Sequence, residues 1–262
     1  MKKWDITDKI LPALTALVYI LLWAPAIVLI LLSFNKDELG IRWEGFSLEW
    51  YSEILNNVAV GRALKTSLTI AIITVVVATI IGTLTAYGLY KYKFRGKRAL
   101  RTTLLLPLVM PYVVIGGALL VFFTRVIHIP LGYPSILIAH ITFSIPLAVF
   151  VILGRMQRID WTLEEASADL GASKLTTWRK ITLPLLLPAI LASAVLIFPW
   201  SFNDFTITYF VAGVGTTTLP LYIFSLVRFG ESAVINAIGT IVMALPLIGI
   251  LLTNLLQRKE VS

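Results

Sequence analysis

Six apolar runs divide the chain, at about residues 10–34, 64–90, 103–123, 136–153, 183–202 and 233–256. Roughly 20 apolar residues cross a hydrocarbon core, and each run comes close to or exceeds that length. None alternates with the period of two that a transmembrane strand needs. Within lipid every backbone amide and carbonyl must be satisfied inside the protein, so the runs are predicted to be helices. The expected fold is an all-α membrane protein: six transmembrane helices in a single polytopic domain over residues 1–262. Pro25, Pro107, Pro111, Pro146, Pro188, Pro199 and Pro246 lie in these runs. Each removes a helix donor and allows a kink.

A polar segment separates the fourth and fifth runs. Its Thr162-Leu163-Glu164-Glu165 stretch fits a capping box, with Thr162 as N-cap and Glu165 reaching back. Leu163, Ala166 and Leu170 then share a face, and Gly171 is placed to stop the helix. Ser173 suits the cap of a second short helix, with Leu175, Trp178 and Ile181 on one face and Pro184 opening the fifth run. The prediction is a helix–glycine–helix knob. Helix logic alone allows two roles: an amphipathic hairpin on the lipid surface, or a docking element.

Composition agrees with the bilayer reading. The chain is 58% hydrophobic and 14% charged, where soluble domains run at about 45–50% and about 25%. The net charge of +8 is not a nucleic-acid signal, because the cations are partitioned by loop. Sixteen of the 22 lie at the N-terminus (Lys2, Lys3, Lys9), in the second loop (Lys91, Lys93, Arg95, Lys97, Arg98, Arg101), in the fourth (Arg155, Arg158, Lys174, Arg179, Lys180) and in the tail (Arg258, Lys259). The positive-inside rule puts this set, and both termini, in the cytoplasm. The first outer loop, about residues 35–61, carries Asp37, Glu38, Glu44, Glu49 and Glu53 with Trp43, Phe46, Trp50 and Tyr51. These aromatics suit either the lipid interface or a surface for an external partner.

With no cysteine there is neither a disulfide nor a thiolate metal site. His128 and His140 have no carboxylate nearby in sequence, so a satisfied histidine is expected rather than a metal ligand. There is no G-x-x-x-x-G-K-[ST] phosphate loop, and Phe94-Arg95-Gly96-Lys97 lacks its spacing. Paired catalytic carboxylates and H-E-x-x-H are also missing, which argues against an intramembrane enzyme. An ion-coupled secondary transporter would need midplane carboxylates and inverted repeats; only Asp204 answers to the first.

Glu165-Ala166-Ser167, three residues, Gly171, nine residues and Ile181-x-Leu183-Pro184 resemble the coupling loop of ATP-binding-cassette importer permeases. Ser167 stands where alanine is usual, a small-for-small change. The resemblance implies that the loop, with Glu164, Glu165, Ala166, Ser167, Asp169, Gly171, Ala172, Ile181, Leu183 and Pro184, sits in a cleft of a separate ATPase. It further implies a homologous sister permease, two ATPase copies and an external substrate-binding protein. The setting would be a bacterial inner membrane. No cofactor is expected on this chain, ATP and magnesium being used by the ATPase.

The stretches Trp200–Phe205, Tyr209–Gly213, Leu219–Gly230 and Ile235–Ala237 extend the likeness to polyamine permeases of this class; iron, thiamine and phosphonate permeases share parts of it. Asp204 is the candidate substrate residue, flanked by Trp200, Phe202, Asn203 and Phe205, with Tyr112 as a further path residue. A carboxylate among aromatic rings suits a polycation. The alternatives are a solvated carboxylate at a helix end or a partner for Arg228. His140 and Ser144 are weaker path candidates, since polar side chains in spans commonly bond neighbouring helices.

Overall fold

The computed structural model describes residues 6–38, 42–230 and 233–244. Helices α1 (Ile6–Leu32), α2 (Glu49–Asn56), α3 (Val58–Lys91), α4 (Lys97–Thr103), α5 (Leu106–Val109), α6 (Tyr112–Val121) and α7 (Tyr133–Met156) come first. They are followed by α8 (Thr162–Asp169), α9 (Lys174–Thr177), α10 (Leu183–Phe202), α11 (Thr206–Val211) and α12 (Leu219–Phe229), and by α13 (Ala233–Ala244). Among the described residues the only β-pairing is one isolated bridge, Asn35 to Phe46. Among the described residues four helices are long and apolar enough to span a membrane, or five if a bent pair counts as one span.

That bent pair corrects the third predicted run. The chain forms one helical stretch over Lys97–Val109 and a second over Tyr112–Val126, turned 109° apart. The break falls at Met110, which is extended (φ −73°, ψ 141°) as the residue before a proline is driven to be. Pro111 has no N–H to continue the ladder. The sixth predicted run is described only as α13, and its remainder lies outside the described residues.

The chain divides into two compact units. The first comprises residues 1–61 and 222–262. Here the loop after α1 is knotted around the buried Asn35, whose side chain donates to Arg42 O (2.6 Å) and accepts from Glu44 N (2.9 Å). Trp50 Nε1 donates to Asn35 O (2.8 Å), and Tyr51 Oη pairs with Ser33 Oγ (2.7 Å). The loop aromatics therefore split: Trp50 and Tyr51 are fastened to the loop, whereas Trp43 and Phe46 remain exposed.

The second unit, residues 62–221, holds both candidate sites. Its centre is α7, packed against α10 and α11. One core joins Ile136, Ala139 and Phe143 of α7 to Ile207 and Val211 of α11 and to Phe123. A second joins Val149, Ile152 and Met156 to Ala86 and Leu89 of α3 and to Leu186 and Ala189 of α10. In a bilayer, close packing rather than water exclusion drives such association, which favours small residues at crossings. At Gly82 a Cβ would fall 2.4 Å from the Ala148 Cβ, so α3 and α7 approach there as only glycine permits.

Candidate functional site

The predicted knob forms, with a different N-terminal cap. Thr162 is the first residue of α8 and not its cap. Trp161 holds the cap position without a side-chain capping bond, and the Asp160 carboxylate before it accepts from the Thr162 hydroxyl (2.8 Å) and the Thr162 N–H (3.1 Å). These bonds hold the Asp160 carboxyl below its ordinary range. This turn is thus intact at neutral pH and is lost only as acid protonates the depressed group. Glu165 stays exposed instead of reaching back. The local pattern fitted two registers, and an aspartate two residues upstream, bonded twice, wins.

The glycine stop and the second cap are as predicted. Ala172 N–H donates to Ser167 O (3.1 Å) and Gly171 N–H to Ala168 O (2.9 Å), the paired bonds of a Schellman ending. Gly171 has φ +77°, where a Cβ is strained, yet a Cβ would meet nothing within 4 Å. Ser173 Oγ accepts from Thr176 N (3.3 Å), and Ser167 and Thr177 bond across the hairpin (2.9 Å). A π-helical turn, Trp178–Thr182, then runs into α10.

The hairpin presents two faces. Leu163, Glu165, Ala166, Asp169, Leu170 (88% exposed) and Gly171 point outward. Ser167, Ala172 and Ile181 are half-buried, and Leu183 and Pro184 are exposed at the start of α10. Glu164 turns inward: one carboxylate oxygen is 2.6 Å from Lys91 Nζ and the other accepts from the Thr182 hydroxyl. Lys91 also lies 3.9 Å from the Trp161 ring centroid. Trp178 packs edge-on against Tyr87 (4.5 Å), while Leu175 stays exposed, so the predicted Leu175–Trp178–Ile181 face is divided. A cavity of about 540 Å³ opens here, lined by Tyr87, Tyr92, Glu164, Leu175 and Trp178.

The second candidate lies at the opposite end of α10. Asp204, 9% exposed, accepts from Thr208 N (2.8 Å) and the Thr208 hydroxyl (2.8 Å), so it caps α11. His140 Nε2 lies 2.9 Å from the Thr208 Oγ1 and 3.3 Å from an Asp204 oxygen, and Nδ1 is 2.8 Å from the Ser201 Oγ. The single Thr208 hydroxyl proton goes to Asp204, so Nε2 must carry the proton it donates to Thr208.

This geometry corrects the picture of a solvated carboxylate at a helix end: Asp204 is buried, bonded to Thr208 and 3.3 Å from the His140 ring. His140 is the satisfied helix-bridging histidine the sequence suggested. Ser144 is not: its buried hydroxyl has no hydrogen-bond partner among the described residues. Trp200 and Asn203 are exposed, Tyr112 and Phe205 are half-buried, and Phe202 is buried and stacked on Phe198 (5.6 Å). The Tyr112 and Trp200 rings meet edge-on at 5.8 Å. Lys91, Thr182 and Thr208 carried no local signal, because their partners lie on other helices or rest on a turn the hydropathy pattern does not display.

The family described as binding-protein-dependent transport system inner membrane component matches residues 78–261. The chain is 43% identical to the spermidine/putrescine transport system permease protein PotC of Haemophilus influenzae, covering 93% of this chain and 94% of that one. It is 38% identical to the putrescine transport system permease protein PotI of Escherichia coli, over 91% and 88%. Among solved structures it resembles a chain of a bacterial ABC transporter that imports the acidic polysaccharide alginate (TM-score 0.75, 19% identity, 96% of each chain). It also resembles a chain of the MetNI methionine ABC transporter (TM-score 0.59, 16% identity, 74% of this chain and 91% of that one).

Proposed function

The chain belongs to the binding-protein-dependent transport system inner membrane components, and from that premise we propose that it is the permease subunit of an ATP-driven importer for spermidine and putrescine. Likeness to a spermidine/putrescine permease along nearly the whole chain carries the substrate assignment. The fold does not choose among substrates, since an alginate importer and a methionine importer share it.

On this reading six helices span the membrane, with both termini and the α8–α9 hairpin cytoplasmic. The outward face of the hairpin docks into an ATPase subunit, which uses ATP and magnesium; two such subunits, a sister permease and an external binding protein complete the importer. The exposed Leu163 and Leu170, and the open space beside Gly171, support that docking role. Asp204 contributes negative potential to the substrate path while its oxygens stay with Thr208 and His140. Trp200, Tyr112 and Phe205 offer ring faces to a polycation and Asn203 an amide oxygen. Phe202 contributes packing.

Uptake of labelled spermidine and putrescine in a strain lacking the gene tests the proposal. The wild-type chain restores uptake, and Gly171→Asp, which places a charged side chain where the ATPase must approach, does not. An unchanged uptake of both polyamines, with the chain still co-purifying with an ATPase, would move the substrate elsewhere within the importer class.

A further inference from the structure

We infer that Lys91 is a positioning residue that fastens the coupling hairpin to the end of α3, so that hairpin movement is delivered to that span; the inference rests on the importer reading above. Lys91 is the last residue of α3, and Glu164 lies in the first turn of α8, 73 positions further along the chain. Their side chains meet at 2.6 Å and are only 25% and 14% exposed. The second Glu164 oxygen takes the Thr182 hydroxyl, and the Lys91 ammonium rests on Trp161. One ion pair thus joins α3, the residue leading into α8, α8 itself and the turn that opens α10.

Two aromatic contacts bracket the pair: Tyr90 with Trp161 (5.1 Å) and Tyr87 with Trp178 (4.5 Å). Ring contacts of this kind tolerate sliding, whereas a charge pair with both carboxylate oxygens engaged sets direction and distance. Exposed ion pairs contribute little because solvent screens them. This one is shielded by Trp161 and by the walls of the cavity. Glu164 and Glu165 also divide the labour of adjacent helical positions, about 100° apart: Glu165 faces outward, where the ATPase docks, and Glu164 faces the span. Force applied at one is handed to α3 through the other.

The test uses the complete importer in proteoliposomes, with uptake of labelled spermidine and ATP hydrolysis measured on the same sample. Lys91→Met and Glu164→Gln are expected to lower uptake per ATP at least about fivefold while the ATPase co-purifies in wild-type ratio. Lys91→Arg retains the wild-type ratio, and Lys91→Glu combined with Glu164→Lys recovers it. Wild-type uptake per ATP in Lys91→Met overturns the inference, as does a charge swap no better than the single variants. Loss of the ATPase from Lys91→Met and from the swap alike overturns it too, since the pair would then serve folding alone. Failure of the wild-type importer to take up spermidine overturns the polyamine reading, a result distinct from any variant effect.

Discussion

At the scale of single residues, the most constrained group is the buried quartet of His140, Ser201, Asp204 and Thr208. Four polar side chains share one set of protons, and each is satisfied only while the others hold their places. Asp204 has two separable roles there: it caps α11 and it supplies charge. Asparagine caps nearly as well as aspartate, so Asp204→Asn keeps the fold and loses the charge. Alanine strands the Thr208 N–H and hydroxyl and the His140 ring, at a cost of about 2 kcal/mol or more. Thermal unfolding in detergent should therefore rank Asp204→Asn close to wild type and Asp204→Ala well below it. Polyamine uptake should fall in both. Full uptake by a well-assembled Asp204→Asn would remove the carboxylate from the substrate path. Composition flagged Asp204 because acids are rare in apolar runs; nothing local marked His140 as its partner, since α7 and α10 meet only through tertiary packing.

At the scale of elements, the α8–α9 hairpin is where the sequence is most informative and also where it misleads. Gly171, Ser173 and the two short helices follow from local chemistry. The Thr162–Glu165 capping box does not survive, because Asp160 competes for the same amide and Lys91 draws Glu164 inward. Hydropathy likewise measured the third run by length, while its direction was decided at Met110–Pro111. Gly171 yields a clean prediction. Asparagine tolerates the left-handed backbone better than other side chains, and among the described residues no atom lies within 4 Å of where its Cβ would sit. Gly171→Asn should therefore accumulate and unfold like the wild type but fail to retain the ATPase on co-purification. Loss of accumulation would instead assign the glycine to folding alone. Gly213 differs: its φ is +64° and a Cβ would meet Leu131 O at 2.6 Å, so that turn is sealed against the loop leading into α7.

At the scale of the whole molecule, the bilayer reading was legible from apolar run length and basic-residue partition, whereas helix breakage and the pairing of distant charges were not. Orientation can be read directly because the chain holds no cysteine, making any introduced thiol unique. Val214, fully exposed between α11 and α12, and Leu170, at the hairpin tip, are expected on opposite sides of the membrane. Val214→Cys should react with a membrane-impermeant maleimide in intact cells and Leu170→Cys only after permeabilisation. The reverse pattern would invert the topology. One feature has a mechanical reach of its own: from Lys174 to Phe202 the backbone runs as a single helical rod of 29 residues. At 1.5 Å per residue it is about 43 Å long, with the hairpin at one end and the His140–Asp204 quartet at the other. A tilt of about 10° at the hairpin end would sweep the far end through about 7.5 Å, wider than a water molecule or an alkyl chain. The bonds of His140 to Ser201 and Thr208, at 2.8 and 2.9 Å, cannot stretch that far, so a passage at that end changes width only as α7 and α11 travel with the rod as one body.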